Sequence, residues 1–190
     1  MHTHPWPHQQ QAIRFSLARP PASMQALRMG EGKSLVAIAL REQFDARRTL
    51  ILCPRSVLGV WRREFAVHDD RGIHVTILDR GSVLHKTECA EEVWDRGPNY
   101  QVVVVNYDSA RINPLSDWLM SRHWSMVILD ESHRCKAHNT QTSKLARSLG
   151  GLTDHRLCLT GTPMGTPLDL FGQFRFLDSS VLGKSFHRFK

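Results

Sequence analysis

Ala26-Leu-Arg-Met-Gly30-Glu-Gly32-Lys33-Ser34 is the stretch of sequence that decides the fold. It matches the pattern of a phosphate-binding loop, with Ala26 in place of the usual first glycine. The apolar residues from Met24 to Leu27 predict a strand before the loop, and the residues from Lys33 to Phe44 predict a helix after it. Because the loop binds phosphate only between a strand and a helix, this context predicts a nucleotide site here.

Each residue type in the loop has a chemical role in this prediction. Backbone N–H groups at the start of the helix would surround the β- and γ-phosphates, and the Lys33 ammonium would neutralise their charge. Gly30 and Gly32 let the backbone approach an anion without a Cβ in the way. The candidate nucleotide-binding residues are Met29, Gly30, Glu31, Gly32, Lys33 and Ser34, and the Ser34 hydroxyl is also a candidate ligand of Mg²⁺. A second Gly-Lys-Ser, at residues 183–185, lacks a preceding strand, and we expect no nucleotide-binding loop there.

The rest of the chain alternates between apolar strand patterns and helical patterns, which indicates an α/β fold with a predominantly parallel sheet and helices on both faces. The further predicted strands are Thr49–Cys53, His74–Leu78, Gln101–Asn106, Met126–Leu129 and Arg156–Leu159. The further predicted helices are His8–Leu17, Val57–Phe65 and Glu88–Trp94. A chain of 190 residues has room for one such domain, and we expect residues 1–190 to form it.

Two adjacent carboxylates follow the predicted strand Met126–Leu129, in the sequence Asp130-Glu131-Ser132-His133. Asp130, nearest the strand, is predicted to hold Mg²⁺ through its water shell. Glu131 is predicted to orient or deprotonate the water that attacks the γ-phosphate, so that Lys33, Asp130 and Glu131 are the candidate catalytic residues. The alternative is an acidic pair that only stabilises the start of a helix.

These motifs, together with Leu159-Thr-Gly-Thr-Pro163, resemble the first RecA-like domain of superfamily 2 helicases, and most of all the Swi/Snf-like group. That family's second motif reads Asp-Glu-x-His, as at residues 130–133. The resemblance implies a RecA-like P-loop NTPase fold. It also implies that His133, Thr160, Gly161 and Thr162 couple the nucleotide state to DNA contact.

The segment Pro7-His8-Gln9 is similar to the family's adenine-recognising glutamine motif, and Gln9 lies 17 residues before Ala26. A glutamine amide donates and accepts at once, as the N6 and N7 atoms of adenine require. Gln10 and Gln11 compete for this role, and a solvated polar helix start is the alternative to it.

Two further segments resemble the family's nucleic-acid motifs, namely Leu52–Ser56 followed by Trp61, and Val105–Tyr107. The candidate nucleic-acid contacts are Arg55, Ser56, Asn106 and Tyr107. Arg55 is equally suited to pairing with an acid at the sheet edge, and Tyr107 to packing in the core, where we also expect Trp61.

The composition favours an anionic partner. Lysine and arginine number 25 against 18 acids, a net charge of +7, although a solvated basic surface has the same composition. No apolar run approaches the roughly 20 residues of a membrane span, and no signal-peptide pattern is present, so we expect no membrane contact and a cytoplasmic or nuclear location. The group His133, Cys135 and His138 matches no common zinc spacing.

The resemblance implies ATP-driven movement on nucleic acid, with duplex DNA favoured, once a second RecA-like domain completes the motor in the same protein. That domain supplies arginines for the γ-phosphate, so this chain alone is expected to bind ATP and Mg²⁺ but to hydrolyse ATP very slowly, as a fragment of a longer protein. The alternatives are a nucleotide switch that controls a protein partner and a P-loop kinase.

Overall fold

The computed structural model describes residues 3–97 and 100–190. Its strands are Ala22–Gln25 (β1), Arg48–Cys53 (β2), His74–Leu78 (β3), Gln101–Asn106 (β4), Trp124–Asp130 (β5) and Thr153–Leu159 (β6). Its α-helices are Pro7–Leu17 (α1), Lys33–Gln43 (α2), Leu58–His68 (α3), Val83–Arg96 (α4), Tyr107–Ala110 (α5), Leu115–Met120 (α6), Gln141–Gly150 (α7), Asp169–Leu177 (α8) and Phe186–Phe189 (α9). Single 3₁₀ turns lie at Arg55–Val57 and Ser132–Cys135.

The six strands form one sheet in the order β1-β6-β5-β2-β4-β3, and each neighbouring pair is parallel. Parallel neighbours require crossover connections, which the intervening helices provide. The predicted α/β class with a parallel sheet is therefore confirmed.

Alternate residues of the central strands divide the core into two layers. Leu50, Leu52, Val103, Val105, Val127 and Leu129 lie in one cluster, which also contains side chains from α4 to α8. Ile51, Cys53, Val102, Val104, Met126 and Ile128 lie in the other cluster, with side chains from α2 and α3 and the partly buried Ala12, Ile13 and Leu17 of α1. Successive residues of a strand point to opposite faces, so continuous apolar strands need helices on both faces.

The structure also contains helices that the sequence patterns did not predict. The helices α5 to α9 all follow β4, and α7 begins where the Thr140 hydroxyl accepts a hydrogen bond from the backbone N–H of Ser143 at 3.2 Å. The helix predicted at Glu88–Trp94 begins earlier, at Val83, where the Ser82 hydroxyl caps the N–H of His85. None of the helices in the described ranges is both long enough and apolar enough to cross a bilayer.

Close packing of α8 against the turn at Ser132–Cys135 depends on one glycine. Gly172 is buried, and a Cβ there would overlap the carbonyl oxygen of Cys135 and lie 2.7 Å from that of Lys136. Both obstacles are backbone atoms, so a side chain cannot move them aside by changing rotamer. The position of α8 relative to residues 132–136 is therefore fixed at Gly172.

Gly172→Ala is expected to destabilise the fold by about 1–3 kcal/mol, because the added methyl overpacks this contact. Gly59→Ala is the matched control, since Gly59 is exposed in α3 and a Cβ there meets nothing within 4 Å. That substitution is expected to stabilise the fold by about 0.5–1 kcal/mol. Urea unfolding of both variants measures the difference, and equal stabilities would contradict the packing argument.

Candidate functional site

The polar segments after β1, β6 and β5 meet at one edge of the sheet. These three strands are consecutive neighbours in the sheet, and all of them end at the same edge. The phosphate-loop pattern follows β1, Thr160 follows β6, and Asp130 ends β5. The carboxyl edge of an open parallel sheet is where such folds bind ligands.

The loop between β1 and α2 is held by its own residues. The Lys33 ammonium donates to the carbonyl oxygens of Leu27 at 3.2 Å and Arg28 at 3.3 Å. A carboxylate oxygen of Glu31 accepts from the N–H of Arg28 at 2.6 Å. Gly30 and Gly32 have φ values of +83° and +77°, in the left-handed region that favours glycine. The lysine therefore points into the loop that would surround a phosphate.

Gln9 is the glutamine of α1 that meets this loop. Its side chain is 5% exposed, its Nε2 donates to the carbonyl of Glu31 at 3.0 Å, and its Oε1 accepts from the N–H of Trp6 at 2.9 Å. Gln10 instead donates to the carbonyl of Pro5, and Gln11 is exposed. Of the three candidate glutamines, Gln9 alone contacts the phosphate loop.

Asp130 is held by two aromatic residues from other elements. The indole N–H of Trp61, in α3, donates to Oδ2 of Asp130 at 3.1 Å. The hydroxyl of Tyr107 donates to the main-chain carbonyl of Asp130 at 2.8 Å. The N–H of Glu131 donates to Oδ1 at 3.0 Å. Each carboxylate oxygen thus has one partner and keeps a further lone pair for a ligand.

The environment of Asp130 disfavours its charge. The pKa of this carboxyl is raised from its usual value of 3.8 to about 6, chiefly by burial and also by the neighbouring charge of Glu131. The hydrogen bond from Trp61 and the positive charge of Lys33 act in the opposite direction. A carboxylate kept here at neutral pH therefore needs cationic or hydrogen-bonding partners.

A chain of polar contacts joins the residues after β5 to those after β6. The His133 Nδ1 lies 3.3 Å from a carboxylate oxygen of Glu131 and 3.4 Å from Oγ1 of Thr160. Oγ1 of the fully buried Thr160 also accepts from the N–H of Thr162 at 3.1 Å. Glu131 has φ of +51°, a conformation that non-glycine residues seldom adopt. The structure thus brings Glu131, His133, Thr160 and Thr162 together.

A second connection between the same two segments runs through α8. The Ser132 hydroxyl donates to Oε1 of Gln173 at 2.7 Å, and Nε2 of Gln173 donates to the carbonyl of Pro163 at 2.7 Å. Both Ser132 and Gln173 are fully buried. Since buried polar groups are costly without partners, this network fixes the two segments relative to each other.

The chain is similar to a described family and to several known proteins. The SNF2-related domain model matches residues 8–190. The chain belongs to the SNF2-related domain family. It is 28% identical over 186 residues to a SWI/SNF-related regulator of chromatin, the subfamily A-like protein 1 homolog of Caenorhabditis elegans. It is 31% identical over 167 residues to the DNA excision repair protein ERCC-6-like of Danio rerio.

These alignments cover most of this chain but a small part of each relative. They span 97% of the chain and 25% of the worm protein, and 83% of the chain and 11% of the fish protein. Among solved structures, the SWI2/SNF2 ATPase core of Sulfolobus solfataricus in complex with dsDNA matches with a TM-score of 0.80 at 24% identity, over 100% of this chain and 39% of that one. The predicted Swi/Snf-like resemblance is confirmed.

The four candidate nucleic-acid contacts of this SNF2-related domain differ in their exposure. Tyr107 is 2% exposed, and its hydroxyl is used by the carbonyl of Asp130, so its ring packs in the core and is not available to stack on a base. Asn106 is 5% exposed and ends β4. Arg55 and Ser56 are exposed and begin the 3₁₀ turn after β2.

Three residues that take part in this site were missed from the sequence or assigned only to the core. Trp61 packs in the core as expected, but its N–H also positions Asp130. Gln173 joins two motifs. Lys86 is 7% exposed, donates to the Ser109 hydroxyl at 2.8 Å, and has its pKa lowered by burial and by the charge of Arg55. Lys86 therefore lies near both Arg55 and the opposite charge of Asp79.

The His133, Cys135 and His138 group has a different arrangement from a metal site. Cys135 is fully buried in the core, and His138 stacks on Phe186 at a centroid distance of 4.0 Å. Within residues 3–97 and 100–190, no three His, Cys, Asp or Glu side chains are grouped to hold a metal by themselves.

Asp130→Asn is expected to stabilise the metal-free chain at neutral pH. A raised folded-state pKa contributes stability that is present below about pH 4 and is lost as the pH rises through about 6. Asn cannot ionise, so the variant does not lose stability in this pH range. The excess of its free energy of unfolding over that of the original chain should grow to about 1–3 kcal/mol between pH 4 and pH 7. Urea unfolding with EDTA at both pH values measures it.

Asp169→Asn is the control, because its effect on stability should change with pH in the opposite direction. Hydrogen bonds from the N–H groups of Gly165 and Thr166 lower the pKa of Asp169. This variant should therefore lose stability relative to the original chain as the pH rises. An Asp130→Asn advantage that does not change with pH would contradict the burial of its charge.

Proposed function

We propose that this chain is the ATP-binding half of a nucleic-acid-dependent motor of the Swi/Snf kind. In this proposal residues 1–190 form one RecA-like domain, which a second RecA-like domain of the same protein completes. ATP hydrolysis by the pair drives movement on duplex DNA. The chain spans only part of its relatives, so the activity belongs to the completed protein.

The observation that carries the proposal is the contact chain from Glu131 through His133 to Thr160. A phosphate site needs only the loop and a carboxylate, whereas a motor must also pass the state of that site to another surface. The distances of 3.3 Å and 3.4 Å place one imidazole nitrogen between the candidate catalytic carboxylate and the segment after β6. A P-loop kinase has no use for this connection.

The residues at the loop suit a magnesium nucleotide. The Lys33 ammonium would exchange two carbonyl oxygens for phosphate oxygens, which carry more charge. The Ser34 hydroxyl and the Asp130 carboxylate are the oxygen ligands that Mg²⁺ prefers, and the free lone pairs of Asp130 remain available to it. Bound Mg²⁺ would supply charge neutralisation at the phosphates.

Glu131 is the proposed general base. Its carboxylate would orient the attacking water and accept its proton, and His133 beside it would hold the side chain in place. Gln9 would meet the adenine edge while it keeps its hydrogen bond to the loop carbonyl of Glu31. Without arginines from the second domain, which typically accelerate hydrolysis about 10³- to 10⁵-fold, the isolated chain should turn over very slowly.

The nucleic-acid surface is proposed to include Arg55 and Ser56. Both are exposed and lie in the turn that follows β2, the strand beside β5 in the sheet. The Sulfolobus relative was solved with dsDNA, which supports duplex DNA as the partner of this family member. Contacts of this kind hold the phosphate backbone and do not read its sequence.

Lys33→Ala is expected to abolish Mg-ATP binding measured by calorimetry, because the loop loses its one lysine and the phosphates lose their counter-charge. Lys144→Ala is the control, since Lys144 is exposed on α7 and removes the same charge elsewhere. Circular dichroism checks that all three proteins are folded. Equal ATP affinity in the Lys33 and Lys144 variants, or no binding by the original chain, would overturn the nucleotide site.

Arg55→Gln is expected to weaken duplex DNA binding and to reduce the slope of log K against log salt by about 0.9, the value for one lost phosphate contact. Arg19→Gln is the comparison, because Arg19 precedes β1 at the opposite edge of the sheet. Fluorescence anisotropy over a salt series gives both slopes. ATP binding without any DNA binding would favour a nucleotide switch over a motor.

A further inference from the structure

The positive charge of the chain is concentrated after the acidic motif. Residues 132–190 contain nine lysines and arginines and three aspartates, whereas residues 1–131 contain 16 lysines and arginines and 15 acids. The last 59 residues thus hold six of the seven net charges. The proposed nucleotide loop, Asp130 and Arg55 all lie before this segment, so the proposed function leaves its charge unexplained.

Part of this charge surrounds one pocket on the outer side of α7 and α8. The cavity has a volume of about 220 Å³, and its walls come from α7, α8 and the segment that leads into α9. The cationic side chains at the pocket are Arg147, Arg175 and Lys184, and the rings of His138 and His187 also line it. None of the residues lining it is an aspartate or a glutamate.

One guanidinium nitrogen of Arg175 has no hydrogen-bond acceptor within the described residues. This atom, Nη1, is buried. Leaving a charged donor buried and unpaired is costly, whereas an anion at this position would satisfy it. The other six lysines and arginines of the segment do not line the pocket, and Lys136, for example, pairs with Asp169 at 3.9 Å.

Aromatic contacts give the pocket a defined wall. The ring of His138 stacks on Phe186 at a centroid distance of 4.0 Å, and Phe171 packs edge-on against both rings at 5.5 Å and 5.2 Å. These contacts hold the start of α9 against α8, and Lys184, two residues before Phe186, lines the same cavity as the arginines of α7 and α8. The cations therefore line a formed cavity and are not scattered on an open surface.

We propose that this pocket binds one phosphate group of the duplex DNA backbone, at a site separate from Arg55 and Ser56. Arginine guanidinium groups suit phosphate oxygens, and three permanent cations without an acid favour a charged ligand over a neutral one. The cavity has room for a phosphate and several waters, since a water occupies about 30 Å³. The inference rests on the nucleic-acid part of the proposed function and not on ATP hydrolysis.

The test compares two double variants that remove the same charge from the same two helical regions. Arg147→Gln with Lys184→Gln removes two exposed cations of the pocket and leaves the partly buried Arg175 in place. Lys144→Gln with Arg188→Gln removes two exposed cations of α7 and α9 that do not line the pocket. Thermal unfolding confirms that both variants fold, and Mg-ATP calorimetry shows whether the nucleotide site is intact.

The pocket variant is expected to bind a short DNA duplex about tenfold more weakly than the control variant, with a salt slope lower by about 0.9. Equal affinities and slopes of the two variants would overturn the proposal while leaving the Arg55 result standing. The ring resonances of His138 and His187, followed by NMR with inorganic phosphate, separate the sources of the anion. Phosphate binding in the pocket without any difference in DNA affinity assigns the site to a free anion and overturns the DNA contact.

Discussion

The parallel direction of all six strands is the constraint on which the rest of this structure depends. Because every strand runs the same way, every carboxyl end opens at one edge, and segments far apart in sequence arrive there together. Asp130 and Thr160 are 30 residues apart in sequence yet occupy neighbouring strand ends. At this edge the phosphate loop, which follows β1, and the exposed Arg55, which follows β2, lie on opposite sides of the ends of β6 and β5.

Asp130 is a carboxyl group in surroundings that disfavour its charged form. Burial raises the pKa of its carboxyl to about 6. The indole of Trp61 nevertheless donates a hydrogen bond to the carboxylate, and the hydroxyl of Tyr107 donates one to the main-chain carbonyl of the same residue. A neutral residue would suit the metal-free fold better. The position makes sense when a cation is present, because the same low-polarity surroundings that penalise a lone carboxylate strengthen its attraction to a positive ligand.

Local signals in the sequence predicted all six strands, although β1 lies at Ala22–Gln25 and not at Met24–Leu27. An apolar run such as Val102–Val105 predicts a buried strand without reference to any other segment. The helices α5 and α6 have only one or two turns and are stabilised by packing, which no local pattern contains. Trp61 was expected in the core, and its hydrogen bond to Asp130 could not be predicted because Asp130 lies 69 residues away in sequence.

The polar groups of the phosphate loop form hydrogen bonds with one another and with α1. Lys33 bonds to two carbonyls, Glu31 closes the loop onto Arg28, and Gln9 fastens it to α1. A phosphate that takes over the lysine releases the carbonyls of Leu27 and Arg28. Gly161 lies beside this loop, since a Cβ on it would be 3.6 Å from the Leu27 carbonyl and 3.8 Å from the Lys33 ammonium. A change in the position of the Lys33 ammonium would therefore alter the surroundings of the segment after β6, which also contains Thr160, the residue that His133 contacts.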